Sequence, residues 1–278
     1  MIQPRNGQRQ QATRPLSARS VVASTLLGME SGHLPSRLLV GAAELFGINE
    51  GTTRVALSRM VAAGELETDG GHYRLAGPLA ERQARQVASR AGRRRAWSIE
   101  RGQWELAVVV ADRRPARDRV ALRDAMRRLK LAELREGVWV RPDNLDAGRA
   151  PAARATVDEQ CRTFRGRPDE ANGADGTGRV AGAALAAELW DLDGWATVAR
   201  TLRAELGGYV EPLQAGDTSV LAPAFELSAT VLRLLLGDPQ LPDALLPPGW
   251  PGDELRRDYD RYDTAFKALW RDWFRAHR

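Results

Sequence analysis

Polar side chains that can hydrogen-bond to DNA are concentrated in a short segment near the N-terminus. Arginine can bind guanine in bidentate fashion, and serine and threonine hydroxyls can bond bases or phosphates. The segment contains Asn49, Thr52, Thr53, Arg54, Ser58 and Arg59, followed by His72 and Arg74. These residue types, at this spacing, predict contacts with double-stranded DNA.

The apolar pattern around these residues predicts the elements that would present them. Asn49 is a favourable N-cap, and the helix after it would bury Leu57, Met60 and Val61 and end at Gly64. The opposite side of this helix would carry Thr52, Arg54, Val55, Ser58 and Arg59. After Gly64, apolar and polar residues alternate on both sides of an Asp-Gly-Gly turn, which predicts a hairpin that includes His72 and Arg74.

Two further helices are predicted upstream, one capped by Ser17 and one with Pro35 in its first turn and Gly47 at its end. Three helices followed by a hairpin form a winged helix, in which one helix enters the major groove. The hairpin would lie along the adjacent phosphate backbone or the minor groove and contribute salt-dependent affinity. Two alternatives remain: Arg54 and Arg59 solvate an exposed helix face, or the winged helix binds another protein.

The distribution of charge also favours a polyanionic partner for this module. The whole chain has a net charge of +5, yet residues 1–100 contain 14 arginines, no lysine and 8 acidic residues, a net charge of +6. Residues 101–278 contain 27 basic and 28 acidic residues, a net charge of −1. The excess positive charge therefore lies where DNA contacts are predicted.

Residues suited to catalysis or to metal binding are few. The three histidines, His33, His72 and His277, are scattered, and the single cysteine, Cys161, cannot form an internal disulfide. No phosphate-binding loop, nucleophile elbow or zinc-binding helix motif occurs. We therefore predict no catalytic residue, no metal site and no cofactor. An enzyme that uses Asp112, after the first strand of the middle domain, is the alternative.

The remaining sequence predicts an α+β multidomain protein. A valine-rich strand from Trp104, a helix over 115–130 that buries Val120, two short strands, a helix over 151–160 and a last strand give the order βαββαβ, which is ferredoxin-like. One helix over 183–206, another from Pro223 and a final one from Pro251 follow. The predicted domains are a disordered basic tail (1–16), a winged helix with a linker helix (17–95), a middle domain with a mobile loop (96–180) and a helical C-terminal domain (181–278).

Short motifs in order along the chain resemble the PaaX family, the repressors of phenylacetic acid degradation and their relatives. The resemblance rests on Phe46-Gly47-Ile48-Asn49-Glu50 with Arg54, Arg59 and Gly64, on Gly137-Val138-Trp139-Val140-Arg141-Pro142, on Trp190-Asp191-Leu192, on Pro223-Ala224-Phe225, and on Leu241-Pro242 through Leu245-Leu246-Pro247 with Trp250-Pro251-Gly252. It implies a dimeric winged-helix regulator that an acyl-CoA effector releases from operator DNA.

The resulting hypothesis is a repressor that binds a pseudo-palindromic operator as a homodimer and responds to a small ligand. An acidic CoA thioester favours arginine and aromatic groups, so Trp139 and Arg141, at a strand end, are the candidate ligand-binding residues. Core packing for Trp139 and a surface charge for Arg141 are the alternatives. An enzyme acting on an acyl-CoA or a nucleic acid and a protein-binding adaptor are the alternatives. The longest uninterrupted apolar run, Leu106 to Ala111, is far shorter than the roughly 20 residues that span a bilayer. This predicts a cytoplasmic protein without a membrane partner.

Overall fold

The computed structural model describes residues 16–29, 33–92, 96–97, 102–146, 148, 150–168 and 179–276. The described residues include only one residue of the expected basic tail and a small part of the expected mobile loop. They do not include the triplet Arg93-Arg94-Arg95 or His277. The described chain contains ten α-helices and seven strands in two antiparallel sheets, which confirms the α+β prediction.

The described chain forms two compact units. The first unit contains the described residues up to Ala84, Pro212–Glu226 and the described residues from Ala265 onward. The second unit contains the described residues of Arg85–Glu211 and Leu227–Thr264. The domain boundaries expected from the sequence stay a prediction.

The first unit begins with helices and a small sheet in the order expected for a winged helix. Its elements are α1 (Ala18–Gly28), β1 (His33–Pro35), α2 (Ser36–Glu44), α3 (Glu50–Ala62), β2 (Leu66–Asp69) and β3 (His72–Leu75), and α4 (Gly77–Ala91) follows. The strand order is β1-β3-β2, with both pairs antiparallel. Strand β1 was not predicted, and Pro35 ends this strand immediately before α2 rather than lying in the first turn of the helix.

Aromatic residues from the C-terminal segments complete this unit. The ring of Phe225 lies 5.1 Å from that of Phe46 and 5.8 Å from that of Trp270, measured between centroids. The Trp273 ring lies against Gly41, where an added Cβ would come within 3.1 Å of a ring carbon. Helix α2 and the turn after it are therefore packed against residues more than 170 positions away in sequence.

The middle of the chain folds as the sequence predicts. Its elements are β4 (Trp104–Val109), α5 (Ala116–Arg128), β5 (Ala132–Arg135), β6 (Val138–Pro142), α6 (Pro151–Gln160) and β7 (Cys161–Gly166). The antiparallel strand order β5-β6-β4-β7 and the element order confirm the ferredoxin-like prediction. Leu122, Met126 and Val157 of the two helices form the core on one face of the sheet. Val120 was expected to face inward, but it is 57% exposed, so that prediction was wrong.

Four helices follow, and the structure corrects the first of them. They are α7 (Arg179–Leu189), α8 (Leu192–Gln214), α9 (Leu221–Gly237) and α10 (Gly252–Ala276). The single helix expected over 183–206 is interrupted at Trp190 and Asp191, because the Asp191 carboxylate accepts a hydrogen bond from the Gly194 backbone N–H at 2.9 Å and so starts a new helix. In α10, Leu255, Tyr259 and Tyr262 recur at intervals of three or four residues and are fully buried.

One stretch of the described chain, Thr218–Gly237, is long and apolar enough to cross a membrane, with a mean hydropathy of 1.5. Leu221, Val231 and Leu235 within it are fully buried. Because the core helix of a soluble protein meets the same criteria, this stretch is weak evidence for a membrane span.

A buried ion pair lies in the second unit. The side chains of Arg256 and Asp238 form a salt bridge and are only 9% and 3% exposed. The Arg256 Nε–H also donates to the Ser89 carbonyl in α4 at 3.1 Å, and the second Asp238 oxygen accepts from the Gln240 backbone N–H at 2.8 Å. Both charges are therefore held by hydrogen bonds to the backbone as well as by each other.

Candidate nucleic-acid interface

Helix α3 is positioned by a short turn after α2. Gly47 takes a left-handed backbone conformation, with φ of 70°, which glycine adopts without strain. Asn49 then caps α3, because its side-chain oxygen accepts a hydrogen bond from the Thr52 backbone N–H at 2.8 Å. Glu50 in the first turn suits the positive end of the helix dipole. The predicted cap is confirmed.

We predict that Asn49→Ala lowers the free energy of unfolding by about 0.5–2 kcal/mol, because it leaves a helix N–H without its side-chain acceptor. Urea unfolding followed by circular dichroism measures this. The matched variant Asn49→Ser retains an acceptor at the cap and is expected to stay close to the wild type. An equal loss in both variants would contradict the capping role.

The buried side of α3 contains Leu57, Met60 and Thr53, each exposed by 1% or less. The Thr53 hydroxyl donates to the Asn49 carbonyl at 3.1 Å. Its side chain therefore cannot touch a DNA base or phosphate in this conformation, contrary to the expectation from its residue type. Thr53 supports the start of the helix instead.

The opposite side of α3 is exposed and polar, as predicted. Thr52, Arg54, Ser58 and Arg59 are all exposed. Arg54 forms an ion pair with Glu50 at 2.7 Å, one turn away, and the two side chains are 56% and 55% exposed. Arg59 has no ion-pair partner within the described part of the chain. The structure thus brings together two arginines and two hydroxyl groups on the exposed side of one helix.

The hairpin beside α3 supplies further polar groups. Strands β2 and β3 are joined by Gly70 and Gly71, which have φ of 55° and 78° and form a tight turn. His72 and Arg74 are exposed on one face of β3, and Arg74 donates through Nε to a Glu67 carboxylate oxygen at 2.7 Å. Both predicted hairpin residues are therefore accessible.

Strand β1 adds a residue to this face that sequence reasoning missed. His33 pairs with Arg74 across the sheet, and the His33 and His72 rings are 6.0 Å apart. His33 is exposed. A strand of three residues has no detectable alternation, so the sequence offered no signal that His33 would join the hairpin.

The two candidate ligand-binding residues are buried in the second unit. Trp139 belongs to the core between the sheet and helices α5 and α6, with 9% of its surface exposed. Arg141 is 2% exposed and donates to the carbonyls of Pro142 and Leu129 at 2.9 and 3.1 Å and to the Asn144 side-chain oxygen at 2.6 Å. Neither side chain can contact a ligand in this conformation, so the expectation drawn from their residue types is revised.

Three family models match the chain in order. A model described as PaaX-like protein matches residues 17–79, the PaaX protein central Cas2-like domain matches residues 97–177, and the PaaX-like protein C-terminal domain matches residues 190–276. The chain belongs to the PaaX-like family. This family consists of transcriptional regulators, which supports a regulator role for this PaaX-like chain.

One solved structure extends this result over nearly the whole PaaX-like chain. The uncharacterised protein Rv0674 from Mycobacterium tuberculosis is 38% identical, with a TM-score of 0.65, and the match covers 92% of this chain and 98% of that one. No curated protein matches the chain.

Asp112 and Cys161 bear most directly on the enzyme alternative for this PaaX-like chain. Asp112 is exposed in the loop after β4. Burial raises the pKa of the Cys161 thiol, which disfavours the reactive thiolate. No group of three or more potential metal ligands occurs among the described residues.

Proposed function

We propose that this PaaX-like protein is a cytoplasmic transcriptional repressor whose helix α3 lies in the DNA major groove. The observation that supports this most directly is the exposed side of α3, which presents Thr52, Arg54, Ser58 and Arg59. Arginine in the major groove can read guanine through two hydrogen bonds, and hydroxyl groups bond bases or phosphates. Asn49 orients this helix through its cap rather than by reading bases.

The ion pairs on this surface are compatible with DNA binding. Arg54 with Glu50 and Arg74 with Glu67 are exposed pairs, and exposed pairs contribute at most about 1 kcal/mol. Exchange of these carboxylates for a guanine edge or a phosphate therefore requires little energy. We propose Arg74 and His72 on the hairpin, with His33 beside them, as phosphate contacts.

We infer a homodimer, because a dimer places two copies of α3 about one turn of DNA apart and reads a pseudo-palindromic operator. Release of the DNA requires a ligand that binds the DNA-competent and incompetent states with different affinity. The family resemblance supports an acyl-CoA thioester as this ligand. Its pocket must involve residues other than the buried Trp139 and Arg141.

The deciding experiment measures binding to the DNA that flanks the protein's own gene, by fluorescence anisotropy, with and without a panel of acyl-CoA esters. Binding that one thioester abolishes is the expected result. Binding unaffected by every thioester would retain the repressor and reject the effector class. Absence of binding even at low salt would reject the proposed function.

We predict that Arg74→Ala weakens binding by a similar factor for operator and unrelated DNA and reduces the salt slope of log K by about 0.9, as expected when one phosphate contact is removed. Anisotropy titrations at several KCl concentrations measure both quantities. A decrease in affinity confined to the operator would instead assign Arg74 to base reading. An unchanged slope would exclude it from the DNA contact.

A further inference from the structure

The densest concentration of arginine in the second unit lies on and just before α5. Residues 113–128 contain seven arginines and two acidic residues, a net charge of +5, whereas residues 101–278 together have a net charge of −1. Six of the seven, all except Arg114, are exposed. The positive charge of this segment thus exceeds that of its surroundings by a wide margin.

Three of these arginines form a stripe along one helix. Arg119, Arg123 and Arg127 are spaced four residues apart, so they lie one above another on α5, and all three are exposed beside the buried side that contains Leu122 and Met126. A rise of about 1.5 Å per residue places successive members about 6 Å apart along the helix axis. The stripe is therefore a linear array of cationic groups about 12 Å long.

The stability of the helix does not account for this stripe. Like charges four residues apart destabilise a helix by about 0.2–0.5 kcal/mol per pair. Arg127 is relieved by Asp124 at 3.0 Å, and Arg119 donates to the Arg114 carbonyl at 3.1 Å. Arg123, at the centre, has no ion-pair partner among the described residues. A polyanionic partner would convert this unfavourable arrangement into a favourable one.

We propose that the Arg119–Arg123–Arg127 stripe binds the sugar–phosphate backbone of duplex DNA without regard to sequence. Each strand of DNA carries one phosphate per about 3.4 Å of helix axis, so an array of this length can face several phosphates. The guanidinium group suits this partner because its planar fork matches phosphate oxygens. This surface belongs to the second unit, whereas α3 belongs to the first, and it supplies affinity rather than sequence choice.

The test uses the full-length protein and the triple variant Arg119→Gln, Arg123→Gln, Arg127→Gln. Dissociation constants for the operator and for a random-sequence duplex are measured over a range of KCl concentrations. The salt slope of log K is expected to fall by about 0.9 for each phosphate that is no longer bound, up to about 2.7 for all three. Both duplexes are expected to lose affinity by the same factor, which leaves their ratio unchanged. An unchanged slope would overturn the proposal.

A matched control removes the same charge from other helices of the second unit. Arg200, Arg233 and Arg257 are exposed on α8, α9 and α10, and their change to glutamine should leave the slope close to that of the wild type. An equal fall in the control would attribute the effect to net charge and overturn the proposal. Binding to polyglutamate is measured as well. If the triple variant loses binding to polyglutamate but keeps its binding to DNA, the proposal is overturned in favour of an acidic protein partner.

The two DNA-contact proposals fail in different ways. Suppose that Arg59→Ala leaves operator affinity unchanged while the triple variant still weakens random-sequence binding. Operator reading by α3 is then rejected, and backbone binding by the α5 surface is retained. If the triple variant binds random DNA as the wild type does while Arg59→Ala no longer binds the operator, only the α5 surface is rejected. A cooperative unfolding transition in urea verifies that the triple variant is folded. Its free energy of unfolding should not decrease, because the substitutions remove repulsion between like charges.

Discussion

Arg256→Ala is expected to lower the free energy of unfolding by about 3–5 kcal/mol, the largest effect on stability that we predict. The variant leaves the Asp238 carboxylate buried without its cation, and it removes the donor to the Ser89 carbonyl. An uncompensated buried charge is far more destabilising than the loss of a surface pair. Urea unfolding followed by tryptophan fluorescence measures the change.

Two further variants separate charge burial from general damage. Arg257→Ala removes an exposed arginine one position along the same helix and should change stability by less than about 0.5 kcal/mol. The double variant Arg256→Met, Asp238→Leu removes both charges and should recover much of the stability, because apolar replacements of a buried pair are often neutral. If the free energy of unfolding of Arg256→Ala falls by less than about 1 kcal/mol, the ion pair is not effectively buried.

Arg59→Ala is expected to weaken operator binding by about 1–3 kcal/mol, which corresponds to about 5-fold to 150-fold in the dissociation constant. This prediction rests on the exposure of Arg59 on α3 and on the absence of an ion-pair partner for it within the described chain. Operator titrations by anisotropy at fixed salt measure the effect. Random-sequence DNA should be affected much less, because the variant removes a hydrogen-bonding group for a base rather than for a phosphate.

The conservative variant Arg59→Lys makes this test more specific. Lysine keeps the charge but lacks the planar fork for guanine, so operator affinity should fall while random-sequence affinity stays close to the wild type. Arg271→Ala removes an exposed arginine from α10 within the same unit and serves as the control for net charge. Full operator affinity in Arg59→Ala would contradict base reading by this residue.

Local signals in the sequence were sufficient to predict most elements of the fold. Asn49 caps α3 as its residue type indicates, because capping involves only the three residues that follow it. The βαββαβ order was readable from the change between strand and helix periodicity along 104–166. The exposed face of α3 was predictable for the same reason, since Leu57 and Met60 mark the buried side.

Features that depend on distant residues were not predictable. Val120 has the residue type of a core position, yet the packing of α5 on the sheet leaves it exposed. Strand β1 has only three residues and exists because β3 pairs with it. Arg141 has the residue type of an anion ligand, but the carbonyls of Leu129 and Pro142 and the Asn144 side chain surround it in the tertiary structure.

The sequence by itself determined the order of most helices and strands, the capped helix α3 and the excess of positive charge in residues 1–100, because all three follow from residues close together in the chain. Only the tertiary structure decided which polar groups are accessible. It buried Thr53 and Arg141, added His33 to the hairpin and left Arg119, Arg123 and Arg127 exposed on α5. The physical reason is that exposure depends on the whole set of packed neighbours, and most of these are remote in sequence.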